Sequence, residues 1–324
     1  MILHKYLILL CFFIFLVNAN VGIAQDYPIR PIRFVVPFPA SGGGDIIIRA
    51  LSQRLSERLG QSIVVDNRSG AGGNVGSEIV AHAAADGYTL LMANISPFAI
   101  NQSIYKKMPF NPLTDFTPIS LVASFPNILV VHPSLPVQSL KELIALTQKR
   151  PGQLTYASAG AGSTTHLSAE FFKSQAKIDL THVPYKGGGQ ALIGVISGQV
   201  TLYFSSLPGA LPHVRAKRLR GLGVTSLKRS SASPETPTLA ESGFPGFEAA
   251  TWIGVAAPAG LAGPIVNRLN SEIADIMRST EMRERLISQG AELLTNTPEQ
   301  FAAYIKSEIT KWAKIVRNTG IAAQ

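Results

Sequence analysis

The strongest constraint on the fold of this chain is a strand, a glycine loop and a helix in direct succession. The stretch VVPFPASGGGDIIIRALSQRL contains all three between Val35 and Leu55: an apolar β-branched run stops at prolines, three glycines follow, and a helical pattern begins at Asp45. Similar glycine-rich junctions occur at residues 160–165 and 187–189. Short apolar runs that alternate with helical patterns predict parallel sheets covered by helices, and therefore an α/β fold.

Each of these junctions also predicts a place where an anion can bind. The first amides of a helix have no partner within the helix and lie at the positive end of its dipole. Glycine lets a ligand approach those amides closely. One glycine-rich turn is common between a strand and a helix, but three in one chain, at residues 41–44, 160–165 and 187–189, favour a ligand cleft.

Apolar runs and periodicity place the remaining elements along the chain. Strands are predicted at residues 32–36, 63–65, 89–93, 127–131, 154–157, 180–183 and 200–204. Helices are predicted from Asp45, at residues 140–148, 166–175 and 190–196, and from Pro298. The last helix has a capping box formed by Thr297 and Gln300, and Gly320 is its predicted stop. Residues 230–245 are rich in Ser, Pro and Thr and predict irregular surface.

The first 24 residues predict a secretory signal peptide. An apolar run at residues 7–17 follows a short positive region, and small residues precede the predicted cleavage before Gln25. The run is shorter than the about 20 residues of a membrane anchor, so an uncleaved anchor is the weaker alternative. Cys11, the only cysteine, lies in this segment, so the mature protein is expected in the periplasm without a disulfide.

The charge balance argues against nucleic acid as a partner. The chain has 29 Lys and Arg against 20 Asp and Glu, and its net charge of +9 falls to +8 when Lys5 leaves with the signal peptide. The basic residues are scattered, and the densest group, at residues 215–229, has no interleaved aromatic side chains on which bases could stack. A positive field is expected instead to speed the capture of an anionic small molecule.

The sequence contains no recognisable catalytic arrangement, and the protein is predicted not to be an enzyme. Residues 41–44 lack the Lys-Ser/Thr pair of a P-loop, GAGSTT at 160–165 lacks the third glycine of a dinucleotide site, and no G-x-S-x-G hydrolase elbow occurs. No two histidines have the i, i+4 spacing of a helical metal pair, so neither a metal nor a cofactor is expected. Asp45 lies in the first turn of its helix, where a carboxylate accepts hydrogen bonds from free amides and orders the loop.

Several stretches resemble one known family in order and spacing. They are YPIRPIRFVVPFPASGGGDIIIRAL, LGQSIVVDNRSGAGGNVGSEIVA, ADGYTLL, LTYASAGAGSTTHLSAEFF, HVPYKGG, LPHVRAKRLRGLGVTS and EQFAAYIKSEITKWAKIV. Over residues 26–320 the chain resembles the substrate-binding proteins of tripartite tricarboxylate transporters, called the Bug family. The glycines of DNRSGAGGNVGSE are interpreted as a turn before a helix.

The resemblance implies a two-lobe fold like that of type II periplasmic binding proteins, in which each lobe is a mainly parallel sheet covered by helices. Lobe 1 comprises residues 25–126 and 250–324, and lobe 2 comprises residues 127–249, with hinges where the chain crosses between them. Such a protein captures a small carboxylate-bearing solute between the lobes and delivers it to the membrane permease subunits of the transporter. A monomer is expected. An orphan sensor that serves a signalling partner is one alternative, and an exported enzyme, which turnover would reveal, is another.

The resemblance also implies, position by position, which residues hold the ligand. Loop backbone amides and bridging waters bind its carboxylate, and Lys186 is expected to matter less than the glycines. The implied ligand-binding residues are Pro39, Ala40, Ser41, Gly42, Ser158, Ala159, Gly160, Ser163, Thr164, His166, Tyr185, Gly187 and Ser205.

Two of these positions depart from the usual family pattern. Ser41 stands where a glycine is usual, and its role is left open between a hydroxyl donor and a residue that tolerates the backbone conformation. Ser205 stands where many members have an Asp that suits an amino group on the ligand. An acidic amino acid is therefore disfavoured, and dicarboxylates, tricarboxylates and aromatic carboxylates stay open.

Overall fold

The computed structural model describes residues 27–319, with side chains as far as Arg317. The predicted signal peptide and the predicted helix stop at Gly320 lie outside the described residues. The strands are β1 (Ile32–Val36), β2 (Ile63–Asn67), β3 (Thr89–Asn94), β4 (Phe116–Val131), β5 (Thr155–Ser158), β6 (Thr181–Pro184), β7 (Leu202–Ser206), β8 (Arg220–Val224), β9 (Ala250–Pro258) and β10 (Glu292–Leu293).

The helices follow the strands in the alternation that the sequence predicts. They are α1 (Gly43–Leu59), α2 (Asn74–Ala81), α3 (Asn101–Ile104), α4 (Leu140–Lys149), α5 (Thr164–Ala176), α6 (Gly188–Ile196), α7 (Leu207–Arg215), α8 (Gly263–Arg278), α9 (Thr280–Ser288) and α10 (Pro298–Thr319). The capping box of α10 is confirmed, because Gln300 N donates to Thr297 Oγ1 over 3.3 Å and Thr297 N donates to Gln300 Oε1 over 3.0 Å.

The sheet follows the order β2-β1-β3-β9-β4-β7-β5-β6. In lobe 1, β1 pairs in parallel with β2 and β3, and in lobe 2, β5 pairs in parallel with β6 and β7. Between these two sets run β9 and β4, which are antiparallel to their neighbours β3 and β7 and to each other. The carboxyl ends of the parallel strands carry the glycine-rich loops, which is the edge where α/β sheets bind ligands.

Strands β4 and β9 run between the parts of the chain that are predicted as lobes 1 and 2. β4 has 16 residues, of which the sequence analysis predicts only residues 127–131, and it predicts neither β8 nor β9. β4 and β9 pair from Phe116↔Pro258 to Pro126↔Ala250, and β4 then pairs with β7 from Asn127 onward. The pairing partner of β4 thus changes at the position where a hinge is predicted.

The hydrophobic core consists of four clusters on the faces of the sheet. Two clusters consist of residues from lobe 1, except for Leu167, which belongs to lobe 2. The other two clusters consist only of residues from lobe 2. Residues 230–245 contain no helix or regular strand, as predicted, but they are not all surface, because Leu239 and Thr238 are fully buried. An irregular segment can cover a core when its backbone N–H and C=O groups form hydrogen bonds with other segments. Here Leu239 N donates to Val224 O over 2.9 Å.

Candidate functional site

Loop 1, residues 37–42, leads from β1 into α1. Ser41 has a φ of 69°, in the left-handed region that favours glycine. Its amide donates to Asp45 Oδ2 over 2.9 Å. The serine therefore adopts a backbone conformation that favours glycine, and the hydrogen bond from its amide to Asp45 holds it there.

Asp45 organises loop 1 from the first turn of α1. Its carboxylate, whose side chain is 2% exposed, accepts a hydrogen bond from Arg49 Nε over 2.9 Å. Asn67 Nδ2 donates to Asp45 Oδ1 and to Phe38 O, each over 2.8 Å. The prediction that this carboxylate orders the loop is confirmed.

Loop 2, residues 159–165, leads from β5 through the first two residues of α5. Ser163 is the N-cap: its Oγ accepts from His166 N over 3.3 Å and donates to Gly160 O over 2.6 Å. Gly160 and Gly162 have φ values of 116° and 78°, which side chains rarely adopt. A bulky residue at Gly160 is therefore expected to strain the turn. The same reason does not hold at Gly42, whose φ is −74°.

Two of the predicted amide donors of loop 2 are already engaged within the loop. Ala159 N donates to Thr165 Oγ1 over 2.9 Å, and Gly160 N donates to Ser158 Oγ over 3.2 Å. The first-turn amides of Thr164 and Thr165 have no acceptor within α5. These two amides are therefore candidate donors that would not need to break a bond within α5 to bind a carboxylate.

Loop 3, residues 185–187, brings lobe 2 against loop 1. A Cβ on Gly187 would lie 2.4 Å from Cγ and Cδ of Pro39, so loops 1 and 3 touch. The phenol of Tyr185 turns away from this contact and packs against Gly194 of α6, and Lys186 is exposed. Of the residues predicted in loop 3, only Gly187 is thus placed at the contact between the lobes.

The sequence predicts three glycine-rich junctions, and the structure adds a fourth junction between a strand and a helix, from β7 to α7. Ser205 is buried, and Ser206 is the N-cap of α7. A Cβ on Gly43, at the start of α1, would lie 2.8 Å from Ser206 Oγ. The first turns of α1 and α7 therefore meet across the cleft. The signal for this helix start is Pro208, in the first turn of α7.

Both connecting strands also reach the start of α5. Thr164 Oγ1 lies 2.7 Å from Thr251 Oγ1 of β9. Asn127 Nδ2 of β4 donates to Ser168 Oγ over 3.0 Å. Nothing local in the sequence pairs these residues, and the two bonds fix the first two turns of α5 to both strands near the predicted hinges.

Three stacked rings lie behind loop 2. The ring centroids of His166 and His182 are 4.4 Å apart, and those of His182 and Tyr156 are 4.7 Å apart. Burial, helped by the neighbouring His182, lowers the pKa of His166 to about 4, and Glu170 acts in the opposite direction. His166 is therefore neutral at pH 7, and its Nδ1 accepts a hydrogen bond from Gly162 N over 3.4 Å.

We expect His166 to make the fold sensitive to acid. Its pKa is lower in the folded protein than the ordinary 6.5, so the unfolded chain binds a proton first as the pH falls below about 6.5, and stability is lost progressively down to about pH 4. Between pH 7 and 4.5 this amounts to about 2 kcal/mol of unfolding free energy. Urea unfolding of each protein at pH 7 and pH 4.5 checks this. On acidification, the His166→Gln variant should lose less unfolding free energy than wild type. The control His132→Gln, which lies outside the stack, should lose as much as wild type. An equal loss in wild type and His166→Gln would contradict the assignment.

A wide groove of about 1000 Å³ also opens between the lobes, beside Phe125 and Ala250. None of the predicted ligand residues lines this groove. Its charged lining mixes Lys228, Arg229, Arg278 and Arg283 with Glu248 and Glu292. Its cations outnumber its carboxylates, so charge does not distinguish this groove from the loops as a place for an anion. None of the glycine-rich helix starts lines the groove, however, and the loops are therefore the stronger candidate site.

The arrangement around loops 1 to 3 suits an anion held by backbone amides and hydroxyls. Four helices begin here, and glycines at the first turns of α1 and α6 leave their amides accessible. Over residues 27–319 there is no group of three potential metal-ligating side chains. In the same part of the chain, no helix combines the length and the apolarity that a bilayer crossing requires.

Comparisons with known proteins agree with this geometry. A sequence model described as the tripartite tricarboxylate transporter family receptor matches residues 47–321. The chain is 39% identical over 311 residues, 95% of each protein, to Protein BugT of Bordetella pertussis strain Tohama I. It superposes with a TM-score of 0.90 and 40% identity on R. palustris Rpa4515 with adipate, over 92% of this chain and 100% of that one. MatC of Rhodopseudomonas palustris with bound malate gives a TM-score of 0.84 and 31% identity, over 90% of this chain and 100% of that one.

Proposed function

Since the chain belongs to the tripartite tricarboxylate transporter receptor family, we propose that it captures a small carboxylate between its two lobes and delivers it to the membrane permease of such a transporter. Members of this family are solute-binding proteins and not enzymes, and their fold is the type II kind of periplasmic binding protein. The single observation that carries the proposal is the meeting of several helix starts at loops 1 to 3, where amides and hydroxyls collect without a buried cation.

Dicarboxylates are the ligand class that these contacts favour. The two solved relatives hold adipate and malate, each with two carboxylates. In this chain the starts of α1 and α7 meet on one side, and α5 presents the amides of Thr164 and Thr165 from loop 2. Ser205 offers no carboxylate to an ammonium group, so an acidic amino acid is expected to bind more weakly than a dicarboxylate of similar length.

Delivery to a permease requires that the protein work outside the cytoplasm. The predicted signal peptide supports export to the periplasm, with cleavage before Gln25. There the protein would act as a monomer that exchanges its ligand with the permease. The two-lobe geometry supports this exchange of the ligand, because a ligand that is held from both sides can leave only when the lobes separate.

Calorimetric titration of the purified protein tests the proposal. Adipate, malate, citrate, benzoate and aspartate are titrated separately, and mass spectrometry follows each compound for turnover. We expect saturable one-to-one binding of at least one dicarboxylate, weaker binding of aspartate and no product. Deletion of the gene in its host should then abolish uptake of the bound compound. Failure of all five compounds to bind, or conversion of any of them, would be evidence against the proposal.

A further inference from the structure

We propose that Asn101 and the turn at residues 70–73 form a further contact between the lobes, which holds loop 2 in its ligand-binding position. Asn101 is then a positioning residue for ligand capture. The inference rests on the proposed function, because loop 2 supplies the amides of Thr164 and Thr165 to the carboxylate.

The turn at residues 70–73 has an unusual backbone. Four consecutive residues have positive φ: Gly70 (145°), Ala71 (47°), Gly72 (62°) and Gly73 (98°). Ala71 carries a side chain in this region, a strain that persists only where the surroundings impose it and that is frequent at functional sites. The sequence analysis interprets this stretch only as a turn before a helix, and α2 does begin at Asn74. A plain turn would not need four such residues.

The turn brings its backbone directly against loop 2. A Cβ on Gly72 would lie 2.9 Å from Ala161 O. Gly72 belongs to lobe 1 and Ala161 to lobe 2, so this contact can exist only while the lobes are together. It is separate from the contact of Pro39 with Gly187.

Asn101 supports the contact between Gly72 and Ala161 by a hydrogen bond to the turn. It follows a π-helical turn at Ser96–Ile100, a local geometry often found at functional sites, and it is fully buried. Its Nδ2 donates to Gly72 O over 3.2 Å and to Asn74 Oδ1 over 2.7 Å. Because Gly72 O can only accept, the orientation of the Asn101 amide is determined, and Oδ1 is its free end.

The free end of Asn101 points at loop 2. A Cβ on Gly162 would lie 2.5 Å from Asn101 Oδ1, yet this buried oxygen has no hydrogen-bond partner among the described residues. Buried acceptors are nearly always paired, so a donor is expected here in the occupied cleft. From its own lobe, Gly162 has only the long bond to His166 Nδ1, of 3.4 Å.

The test compares two asparagines whose side-chain amides each donate hydrogen bonds to two acceptors. Asn270 also donates through Nδ2 to two acceptors, Ile119 O over 2.7 Å and Asn296 O over 2.9 Å, but it lies within lobe 1 away from the cleft. Asn101→Ala and Asn270→Ala should both lower the melting temperature. Only Asn101→Ala should raise the Kd for adipate or malate, by about tenfold, the effect of one or two lost hydrogen bonds.

Lobe separation provides a readout that does not depend on the ligand. Spin labels on cysteines introduced at the exposed positions Gln53 and Lys141 report the distance between the lobes, since Cys11 is the only natural cysteine. Without ligand, Asn101→Ala should widen the distance distribution, and Asn270→Ala should not. Asn101→Ser serves as a second variant if the alanine variant folds poorly.

The outcomes separate this inference from the proposed function. If wild type binds neither dicarboxylate, the proposed ligand class is wrong, and the spin-label distances still test the contact. If Asn101→Ala matches wild type in both Kd and lobe distance, Asn101 has only a structural role and the inference is overturned. A loss of affinity in Asn270→Ala equal to that in Asn101→Ala would overturn it as well.

Discussion

Gly187→Val is expected to weaken dicarboxylate binding by about 100-fold, or about 2.7 kcal/mol, while the protein stays folded. The reason is steric: a Cβ at this position would lie 2.4 Å from Pro39 Cγ and Cδ, and Pro39 belongs to the other lobe. The backbone itself can accept the substitution, because the φ of Gly187 is 163°, an extended conformation. The valine should therefore act as a wedge that opposes closure of the lobes and should not disturb lobe 2.

Calorimetry and small-angle scattering check this expectation together. Wild type should become more compact on saturation with adipate or malate, whereas Gly187→Val should stay expanded at the same ligand concentration. Gly263→Val is the matched control, since a Cβ there would meet nothing within 4 Å and the residue lies at the start of α8, away from the cleft. A Gly187→Val protein that binds and compacts like wild type would show that loops 1 and 3 do not need to touch.

Asp45→Ala should both destabilise the protein and weaken binding. The substitution removes the acceptor of Ser41 N, Asn67 Nδ2 and Arg49 Nε. Ser41 and Arg49 are exposed, so water can pair their donors, and Asn67 Nδ2 keeps its bond to Phe38 O. The net loss of the hydrogen bonds to loop 1 is therefore expected to lower the unfolding free energy by about 1–2 kcal/mol. The Kd should rise about tenfold or more, because Ser41 no longer has the bond that holds its left-handed conformation.

Arg49→Gln is the control that measures the contribution of the ion pair between Arg49 and Asp45. The Arg49 side chain is 47% exposed, and an ion pair with an exposed partner contributes at most about 1 kcal/mol. Denaturant unfolding and calorimetry on both variants should therefore show a small change for Arg49→Gln and a larger one for Asp45→Ala. Equal effects would mean that the ion pair, and not the bonds to loop 1, is the important interaction of Asp45.

Much of the fold follows from patterns within short stretches of the chain. The starts of α1, α5 and α6 lie at the predicted glycine junctions, and the role of Asp45 could be predicted because Ser41 is only four residues away. Capping boxes, helical periodicity and apolar runs all depend on residues within about one or two turns of each other. Such signals are present in the chain before it folds.

The first part of β4, before residue 127, and the whole of β9 gave no such signal. Pro118, Ser120 and Pro126 interrupt the apolar pattern of β4, and its main partner, β9, lies more than a hundred residues away in the sequence. Their pairing depends on register with distant strands, which no local periodicity encodes.

The ligand site itself depended on both kinds of information. The resemblance to a family identified the loops, and the glycines identified the helix starts. Contacts between distant residues, such as Pro39 with Gly187, Thr164 with Thr251 and Asn101 with Gly162, appeared only in the folded chain. A cleft between two lobes is built from surfaces that do not touch until each lobe has formed and the two come together. Local sequence can therefore specify which groups are offered to a ligand, but packing over long range decides which of them remain free to bind it.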